Sequence, residues 1–564
     1  MVAHTAATAR LGIHQLDTQT IYHLHLGHPL SSTMPFAALP RIEAAVLKLR
    51  RPALPHAWRL SAVTRRRLPA AVLCIALAAC ATPPSPPSPS AGQTRIDPVG
   101  LFPMDAYDQN VDHWLDPAGT GYDQPFLSPA DQQTHYEALR ARYFGPAADD
   151  PSPWNPSFVG THVYRDGGAD IAALQRHRIA EFDNTGKSAR ELGYGQNFRP
   201  HTQAWIDAIE QNMNVGQFEQ APGYSAAHRA IATDNALIRE LPTRDPSFYD
   251  RRLAGEGYPF DNLQVSAARP GTPLYVLGSS RDGGWYYVQT PDVQGWVRSD
   301  KVGMVNSAFV DIWRSAARNG LTAVIAASAP VRDSQGVFRF DAPAGTLLPV
   351  APGDNPVQRS VMVPVRDANG NAIVRIAQLN DTQVATAPLS ATPRHLALLL
   401  KALIGRPYGW GNTDFYNDCS SETQSIFAAF GIWLPRHSST QMSAGRMTDL
   451  STATPAERLD YLVKHGVPMR TLIYIGGHVM LYLGNTTRGQ QLVPLVYQDV
   501  WGLRPADNSR RAVIGGSVIL PLLVQYPEDP SLQSLAGTPI FQISVIGAPA
   551  EGTPVQPDDD NPAG

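Results

Sequence analysis

Cysteine is scarce in this chain. Its 564 residues include three, Cys74, Cys80 and Cys419. The first two sit inside one short apolar run, so the chain beyond that run has a single thiol and its folded domains must hold together without an internal disulfide. Charge of one sign is also missing. Lys and Arg number 46 against 49 Asp and Glu, a net of −3, and composition therefore gives no support for a nucleic-acid partner. The sequence has no His-Glu-x-x-His, no cysteine pair at zinc spacing and no phosphate loop, so neither a metal nor another cofactor is expected. What is plentiful is proline and glycine, 50 and 45 residues. They point to many turns and short strands, and the length points to about three or four domains.

The longest apolar run, Leu68–Ala79, is shorter than the roughly 20 residues a membrane-spanning helix needs. It follows a basic stretch, Thr64-Arg-Arg-Arg67, which is the layout of an export signal over 63–80. Its end, Leu77-Ala-Ala-Cys80, resembles the lipobox of bacterial lipoproteins. That resemblance implies cleavage before Cys80, acylation of its sulfur and a periplasmic protein anchored to the membrane by lipid; Ala81 fits outer-membrane sorting. Residues 1–62 show no domain pattern and are expected to lie upstream of a natural start near Val63. Residues 81–95, rich in proline and serine, read as an extended linker.

The region 96–226 is polar, contains Trp and Tyr, and has helical stretches at Ser128–Tyr143 and Pro200–Asn212. It offers no catalytic constellation and reads as a scaffold. Over 227–310 the period changes to short alternating strands, Thr272–Leu277, Gly284–Gln289 and Gln294–Arg298, separated by Gly and Asp turns. This is the pattern of a small antiparallel barrel. Over 318–385 a second all-β stretch carries two hairpin signals, Val331-Arg-Asp-Ser-Gln-Gly and Val365-Arg-Asp-Ala-Asn-Gly. The last domain, 392–526, opens with a helix from Arg394, and 527–564 reads as a C-terminal tail.

Cys419 is the focus of that last domain. A Gly/Asn-rich loop, Arg406-Pro-Tyr-Gly-Trp-Gly, leads to Asp418, a good helix N-cap, and the residues after it read as a helix that Gly431 stops. A thiol at a helix N-terminus loses its proton more easily, which is how cysteine nucleophiles are often built. Such a nucleophile needs an imidazole to take its proton and later return it to the leaving amine. His478 is the best placed of 16 histidines, at the start of the alternating strand His478–Gly484. If the hairpin that follows centres near Arg488, His478 directly opposes Gln498, whose amide would orient the ring. Asp499, pointing to the other face, is the rival.

These residues resemble the NlpC-type family of cell-wall cysteine peptidases. The matching elements are Arg406-Pro-Tyr-Gly-Trp-Gly, Asp418-Cys-Ser, Leu434-Pro-Arg-His-Ser-Ser-Thr-Gln441, Gly477–Gly484 and Gln498-Asp-Val-Trp-Gly502. Upstream, Asp282-Gly-Gly-Trp-Tyr-Tyr-Val with Gly295-Trp-Val resembles bacterial SH3-like domains. The closest pattern is the multidomain form: an N-terminal stabilising domain, two SH3-like barrels and a papain-like α+β peptidase. The resemblance implies hydrolysis of the γ-D-glutamyl–diamino acid bond of peptidoglycan stem peptides. Cys419 would be the nucleophile, His478 the base and then acid, and Gln498 would stand where many relatives have histidine. Tyr408 would help hold the oxyanion. Asp418 would bind a substrate amine, with Ser420 and Ser438 as further contacts, and Glu256 with one of Trp285, Tyr286 or Tyr287 would close the pocket. Two other readings fit the same chain: a catalytically silent wall-binding lipoprotein, and an amidase or acyltransferase acting on another amide.

Overall fold

The computed structural model describes residues 99–220, 222–353 and 358–547. Cys80 and the run expected to be its lipobox, the expected linker, everything ahead of them and residues 548–564 lie outside the described part.

The chain enters through a short strand, β1 (Val99–Leu101), and a helical region follows. Helix α1 (Pro129–Phe144) begins where the Ser128 side chain accepts the Asp131 N–H, with proline at the first helical position, and it ends at Gly145 in the left-handed conformation. Helix α2 (Ala169–Phe182) has no side-chain cap hydrogen bond and follows Gly168, which explains why no capping signal announced it in the sequence. Helix α3 (Gln203–Met213) is capped by Thr202. The apolar faces of α2 and α3 share one core with Trp285, Tyr287 and Trp296 of the first barrel.

That barrel comprises β2 (Arg229–Ala232), β3 (Ala236–Arg239), β4 (Gln264–Ala268), β5 (Pro273–Ser279), β6 (Trp285–Gln289), β7 (Gln294–Arg298) and β8 (Val302–Met304). They form one antiparallel sheet in the order β4-β3-β7-β6-β5-β2-β8. The connection between β3 and β4, residues 240–263, is the longest in the barrel and reaches the C-terminal domain. Helix α4 (Ser307–Asn319) leads into the second barrel: β9 (Leu321–Val324), β10 (Ser328–Arg332), β11 (Phe338–Pro343), β12 (Leu347–Pro349), β13 (Gln358–Arg366), β14 (Ala372–Asn380) and β15 (Val384–Ala387). Both expected hairpins turn where the sequence placed them. Asp333 accepts backbone N–H groups of Gln335 and Val337, and Asp367 those of Asn369 and Asn371, the local side-chain-to-backbone bonding that makes aspartate a turn residue.

The C-terminal domain contains α5 (Pro393–Leu403), α6 (Cys419–Ala429), β16 (Arg446–Asp449), α7 (Pro455–His465), β17 (Thr471–Tyr474), β18 (Val479–Arg488), β19 (Gln491–Leu503), β20 (Arg511–Pro521) and β21 (Gln542–Val545). Its sheet runs β1-β20-β19-β18-β17-β21-β16, antiparallel except where β1 joins β20. Alternation along β18 sends Val479 and Leu481 to the face covered by α5 and α6, and Met480 and Tyr482 to the face covered by α7. Fully burying a side chain such as Phe427 or Leu481 contributes about 1.5–3 kcal/mol. The segment after 527, expected as a tail, is corrected here: β21 is an inner strand, pairing with both β17 and β16. Its sequence, Gln542-Ile-Ser-Val545, is short, and only non-local pairing shows it to be part of the sheet.

Candidate active site

Cys419 is the first residue of α6, and the helix start is tightly specified. Asp418 accepts the Ser421 N–H at 2.9 Å while the Ser421 hydroxyl accepts the Asp418 N–H at 2.8 Å, a reciprocal cap. The Asp418 carboxylate also receives the Gly411 N–H, the Ser420 hydroxyl and two guanidinium N–H groups of Arg436, the nearer at 2.6 Å. Five donors on two oxygens leave no lone pair over. The Asp418 carboxylate, expected to bind a substrate amine, is paired here with Arg436 and the loop. Ser420 is buried and donates to that same carboxylate, and Ser438 lies half-buried in the turn after Arg436. Neither lines the cleft beside His478.

His478 lies in the loop that enters β18. Its Nε2 is 2.7 Å from the Gln498 side-chain oxygen. An amide oxygen can only accept, so the ring proton sits on Nε2 and Nδ1 carries the free lone pair. The amide Nε2 of Gln498 has no partner among the described residues. The register behind this contact differs from the expected one. Leu481 opposes Tyr497 and Tyr482 opposes Val496, with a bulge just beyond. Three more residues along, Val500 would face His478, so Gln498 is its diagonal neighbour two residues away. An offset of two keeps the face, and the bond forms all the same. Asp499, buried on the other face, has neither carboxylate oxygen bonded among the described residues.

The Cys419 thiol is buried. It borders the same turn of chain, taking a hydrogen bond from the Val479 N–H. Burial first, and then the negative charge of Asp418, push it up to about 12. Cys419 stands at the helix N-terminus as expected, and burial acts there against the dipole's preference for the thiolate. Burial likewise pushes His478 down to about 4. At neutral pH the two rest as thiol and neutral imidazole. Tyr408, held well above its ordinary value by burial and by the Cys419 and Asp418 charges, remains a hydrogen-bond donor.

A cleft of about 320 Å³ opens beside His478, lined by Tyr408, Trp410, Trp501, Arg504, Arg511 and, from the first barrel, Phe260. Phe260 sits edge-on to Trp410 and Trp501, with centroids 5.4 and 5.6 Å away. Glu256, on the same barrel loop, lies beside Arg511, and burial raises its carboxyl. Tyr286 does not reach the cleft: it packs on the barrel's own core, while Trp285 and Tyr287 face α2 and α3. The barrel's aromatic contribution is Phe260, which sequence reasoning missed because it lies in an irregular loop. Glu422, an acidic residue in the first turn of α6, is buried there and accepts the Asn417 amide at 2.9 Å and the hydroxyls of Tyr497 and Ser517.

Four family models match the chain: the NLPC_P60 stabilising domain over 70–218, an SH3 domain of SH3b1 type over 246–298, an SH3 domain of SH3b2 type over 306–355 and the NlpC/P60 family over 405–492. Among solved structures, an NlpC/P60 endopeptidase from Photobacterium damselae subsp. piscicida aligns with a TM-score of 0.68 at 26% identity, covering 80% of this chain and all of that one. An NlpC/P60 family protein from Bacillus cereus aligns at 16% identity over 54% of this chain and 98% of its own, with a TM-score of 0.36. No curated protein matches the chain.

Proposed function

The chain belongs to the NlpC/P60 family as a multidomain cell-wall cysteine peptidase, and on that premise we propose that it hydrolyses the γ-D-glutamyl–diamino acid amide of murein stem peptides with Cys419 as nucleophile. The observation that carries this reading is the His478–Gln498 contact, which leaves the His478 Nδ1 lone pair free beside the strand whose first N–H holds the Cys419 sulfur.

The chemistry follows from the resting protonation. His478 Nδ1 takes the thiol proton as Cys419 Sγ adds to the carbonyl carbon, so no thiolate has to persist in the buried site. The tetrahedral oxygen takes up negative charge. The Cys419 N–H, which has no acceptor within its own helix at the first position, and the Tyr408 hydroxyl are its donors. Collapse breaks the C–N bond, His478 returns the proton to the departing amine, and a thioester remains. Water then adds with His478 again as base, and the γ-D-glutamyl acid leaves with the thiol restored.

The test incubates the chain from Ala81, and its Cys419→Ala variant, with purified sacculi and with L-Ala-γ-D-Glu-diaminopimelate, reading products by mass spectrometry. Release of L-Ala-D-Glu by the wild type alone is expected. Cleavage elsewhere in the peptide, or equal products from both proteins, would reject the reading. Lipid anchoring through Cys80 belongs to the same proposal and rests on Leu77-Ala-Ala-Cys80. Labelled palmitate should enter the wild-type chain and not Cys80→Ala.

A further inference from the structure

Most of the strongly exposed aromatic surface of the described chain gathers in one place. Five aromatic residues stand out as exposed: Phe198, Tyr249, Tyr258, Phe338 and Phe415. Three of them, Phe198 (63% exposed), Tyr249 and Tyr258 (65%), line a single cavity of about 690 Å³, and Phe415 directly follows Asp414, which also lines it. The cavity is bounded by the N-terminal region, the 240–263 loop of the first barrel, and the loop that runs on to Cys419. It is distinct from the cleft beside His478, with no lining residue in common. It is nonetheless close. Trp410 lines the cleft and Thr413 the cavity, so the two are three steps of chain apart, at most about 11 Å from Cα to Cα. The barrel loop is shared in the same way, Phe260 turning to the cleft and Asp261 to the cavity.

The volume falls in the range of small-ligand sites, about 300–1,000 Å³. Exposed ring faces are unfavourable in water and present flat apolar area with a negative π-face, which suits the C–H face of a pyranose ring. The polar lining is cationic by one charge, four arginines against three aspartates. Arg239 is committed to Asp261 and Arg252 to Asp250. Arg251 stacks its guanidinium over the Phe198 ring at 4.5 Å. Arg244, exposed at the rim, has no carboxylate partner among the described residues. Tyr258 donates its hydroxyl to Asp414 at 3.1 Å.

We propose that this aromatic and arginine-lined cavity is a saccharide subsite that takes the amino-sugar disaccharide of a murein fragment. Phe198 and Tyr249 stack on the sugar rings, and Arg244 pairs with the lactyl carboxyl oxygens or their amide. The proposal rests on the murein-peptidase reading above and extends it. The stem peptide then enters the cleft from a glycan held one short loop away, and glycan-bearing muropeptides are better substrates than free peptides.

The test separates the two readings by measuring binding without turnover. The intact chain carrying Cys419→Ala is titrated by calorimetry with the N-acetylglucosaminyl-N-acetylmuramic acid disaccharide, alone and with Phe198→Ala or Arg244→Ala added. Both added substitutions are at exposed positions. Saturable binding, weakened at least tenfold by each substitution, is expected. Absence of disaccharide binding, or binding that neither substitution changes, overturns the subsite. In the active chain, either substitution should lower the ratio of kcat/KM for disaccharide-tripeptide over free tripeptide by the same factor. A chain that cuts the peptide and ignores the disaccharide removes the subsite alone. A chain that binds the disaccharide through Phe198 and cuts nothing removes the peptidase reading alone.

Discussion

Arg436 reaches Asp418 across 18 residues and holds its carboxylate with two N–H groups, both side chains nearly inaccessible to water. The pair ties the turn after α6 to the cap that sets the Cys419 position. Arg436 also donates to Ser266 of the first barrel and to Asn412 of the loop that leads to Cys419, so one guanidinium joins three segments around that residue.

Replacing Arg436 by methionine leaves a buried carboxylate without its cation. Breaking one half of a buried pair typically costs about 3–5 kcal/mol, and urea unfolding should show a loss in that range. The Asp418→Asn, Arg436→Met double variant should recover part of it. A single variant as stable as wild type would mean that water reaches the pair.

Gln498→Ala should lower kcat by about ten- to a hundredfold, the effect of losing a bond of about 1–3 kcal/mol to a buried partner, while KM changes little. Asp499→Ala should cost much less activity, because Asp499 makes no contact with His478 in the structure and faces Glu422 and Cys419 instead. Steady-state kinetics of the two variants decide between them, and a larger kcat loss at Asp499 would reverse the assignment.

How much of this was legible beforehand depended on the range of the interaction. The α6 cap and its stop were readable because Asp418, Ser421 and Gly431 act within a few residues of one another. The His478–Gln498 pairing was reachable because strand parity survives an offset of two. The exact register was not, because the hairpin turns at Gly489-Gln490, beyond Arg488, and the bulge between Tyr482 and Gly484 then shifts the pairing by one residue. Phe260 and β21 escaped for a different reason. Each is defined by a partner more than a hundred or nearly a hundred residues away, Trp410 for one and Arg446–Asp449 for the other. The thiol's upward shift is also a tertiary effect: the dipole is local to the helix, but the burial that opposes it is built by the sheet.

Gly411 tests the join between barrel and peptidase. Its φ is +57°, and an added Cβ would stand 2.2 Å from the Gln264 backbone oxygen, whose own side chain donates to the Gly411 carbonyl at 2.9 Å. Gly411→Ala therefore meets both a left-handed backbone and a backbone clash. A loss of about 1–3 kcal/mol in stability is expected. Peptidase activity should fall further than stability, because Gly411 also donates to Asp418 and its displacement disturbs the cap of α6 ahead of Cys419.

The pH dependence follows from the two shifts at the site. With His478 pushed down to about 4 and Cys419 up to about 12, the neutral pair persists across the whole range between. The acid limb of kcat/KM should lie near pH 4, well below the ordinary histidine value of about 6.5, with no alkaline rise from thiolate formation below pH 9. Stability has the same origin. An unfolded chain protonates this histidine below about 6.5 while the folded chain does so only near 4, so the folded state loses stability as pH falls through that window. At the alkaline end the unfolded thiol ionises near 8.5 and the folded one near 12, so stability is lost as pH rises between them. Iodoacetamide alkylation of the intact chain measures the thiol directly, Cys419 being the one free cysteine among the described residues; adding Cys74→Ser and Cys80→Ser confines the signal to it. Alkylation should be slow at pH 7 and still climbing at pH 10. A rate that plateaus by pH 7 would mean that the thiolate–imidazolium pair is the resting form, and His478 would then act first as an acid.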